Sequence, residues 1–382
     1  MFFIENGVLK KYTPEEQEVK FETPNGVSVI KVIEQEIVIP EGLVTLGAFS
    51  LSSSCFETVV LPSTLIQIGK DAFCNGIIDV YYNGTLEEWL KIDFKNANSN
   101  PNYYGENFYI LDENGTVEYN GYKYSLITYV EIPNSITKID EELVSLNITD
   151  LVISKEVEEL GYFGFVDCKN LVNVYYNGTL EDWFNIKMST YMSNPNYFGK
   201  NFYILDENGT VEYNGYKYSL VTNLEIPSDI KILGCHLLGL NITNLVIPEG
   251  VEIIDRYAFY NCINLETVIL PSTLTKIYDD AFNGCINIKE LNFPSSLKSI
   301  GFRAFSGCSS LKYISLPDGI ESVDQYAFEY CSQLETAYIP KSIKFLGMLA
   351  FYYCDNFNTL FYEGTPEEFD QIIYLICFLI LW

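Results

Sequence analysis

The sequence has 382 residues, 48% of them hydrophobic and 15% aromatic, with 51 acidic against 23 basic side chains for a formal net charge of −28. That apolar content is ample for a large core and excludes wholesale disorder, while so acidic a chain repels phosphate and offers no basic face to nucleic acid or anionic lipid. Ten cysteines are too few for a disulfide scaffold, and roughly 150 residues per domain would suggest two or three domains unless the chain is built of repeats.

The chain opens MFFIENGVLKKYTPEE, with no basic segment ahead of an apolar stretch and no small-residue cleavage site, so no secretory signal is read. FFIENGVLKKY predicts instead a hairpin capping the start, over residues 1–26. From residue 27 a short strand recurs, ending at Pro40, Pro62, Asn83, Pro133, Ser154, Asn177, Pro227, Pro248, Pro271, Pro294, Pro317, Pro340 and Glu363. One residue before each anchor the side chain is apolar or tyrosine, and three before it is apolar, from Ile37 to Leu360; four before, most are polar. Period-two alternation of this kind marks a half-buried strand. A strand every 21 to 23 residues leaves about 17 for a return path, one rung of a solenoid whose stacked strands form a parallel sheet. Proline after the strand ends the ladder because it cannot donate a backbone hydrogen bond.

A second motif closes each run of strands: YYNGTLEEW at 81–89, YYNGTLEDW at 175–183 and FYEGTPEEF at 361–369. Thr85, Thr179 and Thr365, each three residues before an acid, predict capped short helices, and Pro366 suits a first helical position. Trp89, Trp183 or Phe369 would then cover the exposed end of each array's core. After two of the caps comes a tyrosine-rich insert, with NFYILDENGTVEYNGYKYSL identical at 107–126 and 201–220, 94 residues apart. Asn-Gly pairs between runs of Tyr, Val and Ile predict a small β-meander. The organisation expected is a hairpin over 1–26, a first array over 27–83, a cap and meander over 84–126, a second array over 127–177, a cap and meander over 178–220, a third array over 221–363, and a cap with an apolar tail over 364–382. That tail, Ile372 to Trp382, would span roughly 16 Å as a helix, about half a hydrocarbon core, so no integral membrane span is expected. It reads either as a truncated or frameshifted end or as a genuine apolar end packed on the last rung.

The unit NLETVILPSTLTKIYDDAFNGC at 264–285 carries the strand, Pro-x-Ser/Thr-Leu-x-x-Ile, Ala-Phe and Gly-Cys of the BspA-like, or Treponema-type, leucine-rich repeat, and resembles it. The match covers about residues 27–363 with interruptions; Gly164-Phe165 and Ser154 depart from it in the second array. The resemblance implies a leucine-rich-repeat right-handed solenoid that binds partners through its sheet face and is common on bacterial or protozoan surfaces. The expected fold is thus a mainly β repeat solenoid with a parallel sheet of about 13 short strands, short capping helices and two inserted meanders.

Catalytic residue types are scarce. His236 is the one histidine, in an apolar return path beside Cys235, and reads as a packed or solvent-edge residue. Cysteines at 262, 285, 308, 331 and 354 follow the repeat period and read as free thiols lining the return wall. Asp112 and Asp206 start hairpin turns rather than calcium loops, and the Asn-x-Thr sites at Asn83, Asn114, Asn147, Asn177, Asn208 and Asn241 follow from turn and cap chemistry. No catalytic residue, metal site or cofactor is expected. Two residues before the anchor, where side chains should face solvent, the chain carries Val38, Val60, Tyr81, Val152, Tyr175, Val246, Ile269, Tyr338 and Phe361. The row four before the anchor adds Tyr129 and Tyr313 among polar residues such as Thr58, Asp79, Asp150, Asn173, Asn244 and Glu290. Such residues suit strands in any case, yet an exposed apolar row with a polar rim is also how a protein-binding surface looks. The candidate partner-binding residues are therefore Val60, Tyr81, Tyr129, Val152, Tyr175, Val246, Ile269, Tyr313, Tyr338 and Phe361. A non-catalytic protein-interaction role toward a protein or cell-surface ligand is expected, with a structural or adhesive surface segment and, remotely, an enzyme site on the inserts as alternatives. The missing signal favours the cytoplasm and the resemblance favours the cell surface.

Overall fold

The repeat forces one geometry on each rung: an extended stretch, a turn at the proline, and a return path whose apolar residues close the core. The computed structural model describes residues 36–52 and 56–373, and, between 2 and 32, the backbone of four strands. The apolar tail beyond Ile373 and Cys55 lie outside the described residues. The chain divides into two compact units, 1–172 and 173–382.

In the first unit, Phe2–Glu5 and Val8–Tyr12 pair antiparallel as the expected hairpin. A second hairpin, Gln17–Thr23 with Gly26–Val32, follows, so the first anchored strand of the array begins only at Glu36. Glu36–Val38, Thr58–Leu61 and Asp79–Tyr82 then stack in parallel register. The next strand, Asn107–Leu111, belongs to the insert yet joins this sheet as a further parallel rung, with Tyr109 opposite Tyr81. Only Val117–Tyr119 and Tyr122–Leu126 turn back antiparallel. The meander is thus one solenoid rung plus a hairpin. Tyr129–Glu131 and Asp150–Ile153 continue with the second array.

The second unit repeats the device, Asn173–Tyr176 pairing in parallel with Asn201–Leu205, before the third array. There the described strands are Asn244–Val246 beside Thr267–Ile269, and Tyr313–Ser315 beside Thr336–Ile339 and Thr359–Tyr362. Two expected strands do not form. Before Pro227 only a bridge between Asn223 and Asn244 remains, and 290–293 is irregular although Leu291 stays buried. Burial alternation can persist where the ladder hydrogen bonds do not. Eleven of the thirteen anchored strands are therefore present among the described residues, and the two insert rungs add to them.

Register in the third array is carried by a ladder that the periodicity did not announce. The residues that read as part of a return path, Ile232–Leu233, Ile253–Ile254, Lys276–Ile277, Ser299–Ile300, Ser322–Val323 and Phe345–Leu346, pair in series as two-residue parallel strands. Behind them, Phe259, Phe282, Phe305, Phe328 and Phe351 stack face to face at 5.0, 5.2, 5.4 and 5.7 Å. The repeated cysteines have a specific task. Cys285, Cys308, Cys331 and Cys354 each donate the thiol proton to the phenylalanine carbonyl one rung back, at 3.1, 3.5, 3.3 and 3.1 Å. Burial pushes the Cys262 thiol up to about 12 and that of Cys285 well above its ordinary value. The eight cysteines described are free. The Ser/Thr after the proline is equally purposeful: Thr273 Oγ1 accepts from Gly250 N at 3.0 Å and donates to Val251 O at 2.7 Å, tying neighbouring turns.

Candidate interaction face

All three cap helices start as the spacing predicts. Backbone N–H groups of Thr85, Thr179 and Thr365 donate to Glu88, Asp182 and Glu368 at 2.8, 2.9 and 2.8 Å, and each hydroxyl accepts in return. The expected covering of core ends needs correction for the first two. Trp89 is fully buried against Phe108 at 4.5 Å and donates from Nε1 to Glu142 O at 2.8 Å, 53 residues on. Trp183 repeats this with Phe202 at 4.7 Å and His236 O at 2.9 Å. These tryptophans lie inside a continuing core because the insert supplies another rung beyond them. In the third array Tyr362 and Phe369, 5.0 Å apart, are only half-buried.

The outward row divides in the same way. Four residues expected to face solvent are buried: Val60, Tyr81, Val152 and Tyr175. An insert hairpin folds back over the sheet of its own unit and takes the exposure of Val60 and Tyr81 away. Tyr81 stacks on Tyr109 at 4.6 Å and Tyr119 at 4.2 Å and meets Tyr124 edge-on at 4.9 Å, with Val60 and Val117 in the same cluster. Desolvation there pushes the Tyr81 and Tyr124 phenols up to about 12. Hydrogen bonds fix the overlay at its margins: Tyr124 OH donates to Asn83 Oδ1 at 2.6 Å and Asn120 Nδ2 to Glu36 Oε1 at 2.8 Å. In the second unit Tyr175 stacks on Tyr203 at 4.8 Å and Tyr213 at 4.3 Å. Val152 holds in the second array the place that Val60 holds in the first. Tyr129 is half-buried, its hydroxyl bonded to Glu131. A sequence signal for the overlay existed in the insert between residues 117 and 124, where Tyr119, Tyr122 and Tyr124 offer rings at strand spacing.

Five candidates remain uncovered, all in the third array: Val246, Ile269, Tyr313, Tyr338 and Phe361, between 44% and 60% exposed. Tyr338 and Phe361 stack at 4.8 Å and 10°, and Tyr313 OH donates to Glu290 Oε2 at 3.1 Å. Apolar rings and aliphatic groups with a polar margin can bury area against a protein and orient it.

A groove of about 790 Å³ on the return side is lined among others by Tyr191, Cys235, His236, Asp255, Tyr257 and Asp280. His236 Nε2 lies 2.8 Å from Ile186 O and so carries the proton it donates, while burial holds the ring's pKa below the usual value. The neighbouring Cys235 thiol is pushed up to about 11 by burial. Asp112 accepts from Asn114 N at 2.9 Å and Ser125 Oγ at 2.6 Å, which closes the hairpin turn. Among the described residues no group of three or more His, Cys, Asp or Glu is placed to hold a metal, and no helix is long and apolar enough to cross a membrane.

The family model for the BspA type leucine rich repeat region matches residues 32–115, 115–237 and 237–358, in six copies. The chain belongs to this family. Its fold is that of a leucine-rich-repeat solenoid. This BspA-type chain is similar to the crystal structure of a leucine rich cell surface protein from Faecalibacterium prausnitzii, with a TM-score of 0.56, 20% identity and 97% of each chain covered. A leucine-rich repeat protein of T. pallidum is 30% identical over 34% of this chain and 61% of its own, with a TM-score of 0.33. The pneumococcal vaccine antigen PcpA gives 15% identity and a TM-score of 0.39, covering 92% and 78%. No curated protein matches the chain.

Proposed function

We propose that this BspA-type repeat chain is a non-catalytic interaction protein that takes a protein or cell-surface ligand on the outer face of its third array. One observation carries the reading. The same outward row that is consumed by the chain's own tyrosines around Tyr81 and Tyr175 is left open at Val246, Ile269, Tyr338 and Phe361. Exposed aromatic and aliphatic side chains beside polar groups are where interfaces concentrate their energy. The acidic balance of the chain favours a partner with a basic rim.

An adhesive or structural surface role is the second reading, favoured by the Faecalibacterium prausnitzii protein, which is described as a cell surface protein. Cross-linking of the native protein to its neighbours, followed by isolation, supplies the partner. Val246→Asp with Ile269→Asp should then abolish its retention, whereas Glu118→Lys on the insert should leave it unchanged. Retention untouched by substitutions along the open row would overturn the reading.

A further inference from the structure

The groove on the return side lies wholly within the second unit. It is lined by the end of the second insert, where the strand Lys187–Met188 runs into the short turn Tyr191–Ser193, and by return turns of the third array at Gly234, Asp255, Tyr278 and Phe302. Its volume of about 790 Å³ falls among ligand pockets, which run from roughly 300 to 1,000 Å³. The 94-residue period did not dictate this lining. The two copies agree throughout 107–126 and 201–220, yet Ala97 stands at the place of Tyr191, Phe163 at that of Tyr257, Gly161 at that of Asp255 and Glu142 at that of His236.

Rings and hydrogen-bonding groups converge there. Tyr191 stacks on Tyr257 at 3.8 Å and 25°. The Tyr257 hydroxyl donates to Asp280, which also accepts from Asn283 Nδ2 at 2.6 Å. Burial nonetheless raises the Asp280 carboxyl above its ordinary value, so further donors would be favoured beside it. Tyr257 and Asp280 hold their side chains at φ of 60° and 55°, a backbone region where glycine would be unstrained. Because His236 donates from Nε2 to Ile186 O, its Nδ1 is an acceptor, and it takes no hydrogen bond from another described residue. Gly234 lies alongside, where a Cβ would stand 3.3 Å from Nδ1. Glycine at that position leaves the acceptor approachable.

Charge selects among ligands. Unlike the chain as a whole, the groove is balanced: Asp255, Asp279 and Asp280 bring three carboxylates, and Arg256, Lys276 and Arg303 bring three cations. Arg256 Nε is 3.1 Å from Asp279 Oδ2, Lys276 Nζ lies 6.0 Å over the Tyr278 ring, and the Arg303 guanidinium lies 5.1 Å over that of Phe302. A cationic ligand would find both of these rings already faced by the chain's own cations. An anion would meet the carboxylates. An uncharged molecule with apolar ring faces and many hydroxyls fits both features, since hydroxyls donate to carboxylates and to Nδ1 and accept from a guanidinium.

We propose that this groove binds an uncharged carbohydrate, a sugar ring lying against the Tyr191–Tyr257 wall with its hydroxyls bonded to Asp255, Asp280 and His236. The site is separate from the outer face of the third array and goes beyond the role proposed for that face. A plain polysaccharide and an amide-bearing glycan present the same chemistry.

Isothermal titration calorimetry of the full chain with cellotriose, maltotriose and N-acetylchitotriose tests the site and distinguishes these sources. At least one should bind with Kd on the order of 0.1–1 mM. Tyr191→Ala and Asp280→Ala should each weaken it at least about tenfold, with circular dichroism showing the variants folded. Gly234→Ala, at a φ of −89° that suits alanine, should weaken it about threefold by crowding Nδ1. Preference for N-acetylchitotriose supports the site and assigns an amide-bearing glycan; preference for either glucan supports it and assigns a plain polysaccharide. No binding of the three up to about 10 mM overturns the proposal, as does binding unchanged in all three variants. Tetramethylammonium bound more tightly than every saccharide would also overturn it and make the groove a cation site. Val246→Asp with Ile269→Asp should leave saccharide binding intact, so that failure of the groove and failure of the outer face are read separately; loss of binding in that variant would move the sugar to the outer face and overturn the assignment.

Discussion

Tyr81 and Phe361 occupy the same position in two repeats and live in different environments. Tyr81 is closed between Tyr109 and Tyr119, while Phe361 keeps half its surface in water. The difference teaches that an outward aromatic in this repeat is a half-built core, which is buried or left in water according to whether a strand arrives to cover it. Local sequence cannot separate the outcomes, because the strand, the cap motif and the period around both residues are alike.

The comparison breaks most readily by truncation. Tyr81→Ala should cost about 3–5 kcal/mol, since it removes a buried ring from a stacked cluster, whereas Phe361→Ala should stay within about 0.5 kcal/mol. Hydrogen exchange of Tyr109–Leu111 amides against those of Thr359–Tyr362 measures both, and equal losses would erase the distinction.

A second contrast follows from the 94-residue period, which puts Glu142 and His236 at equivalent places, each lending its carbonyl to a cap tryptophan. Burial raises the Glu142 carboxyl to about 8 and lowers the His236 pKa. Between the unfolded glutamate value of about 4.5 and 8 the folded first unit binds more protons than the unfolded chain, so its stability should fall as pH rises across that window, by a few kcal/mol in all. The second unit should behave oppositely. Below an unfolded histidine value of about 6.5 the unfolded state binds more protons, so stability is full above that pH and lost as pH drops. Chemical denaturation at pH 5 and pH 8, followed by exchange in each unit, should show the crossing, and Glu142→Gln should flatten the first unit's slope alone.

The smallest effect concerns the caps. Thr85→Ala and Thr179→Ala should each cost about 1 kcal/mol by removing an N-cap acceptor. Thr365→Ala, at the half-buried end, should cost no more and should fray Pro366–Ile373 without disturbing the rest; amide exchange in that helix reports it.

Much of the solenoid was legible before any coordinates. The strand ahead of eleven of the thirteen anchors follows from alternation such as that at Ile37 and Ile39 or Ile314 and Leu316, the capping boxes from Thr85 and Glu88, and the free thiols from their 23-residue beat. The two-residue ladder was not legible, because Lys276–Ile277 is too short for any periodicity to show. Nor was the loss of strand at 290–293, where Leu291 keeps the apolar pattern while the backbone leaves the ladder.

The candidate binding row was half legible. Its apolar character is written in the residues from Val38 to Phe361, but its exposure is not a property of those residues. Alternation and turn chemistry act over a few positions and are repeated in every rung, so the chain of residues alone settles the repeat, its core and its caps. Whether Tyr81 faces water depends on Tyr119, 38 positions away, returning across the sheet. Only the tertiary structure decides such contacts, because they arise from a hairpin folding back on its own solenoid, and the same physics leaves Val246, Ile269, Tyr338 and Phe361 open.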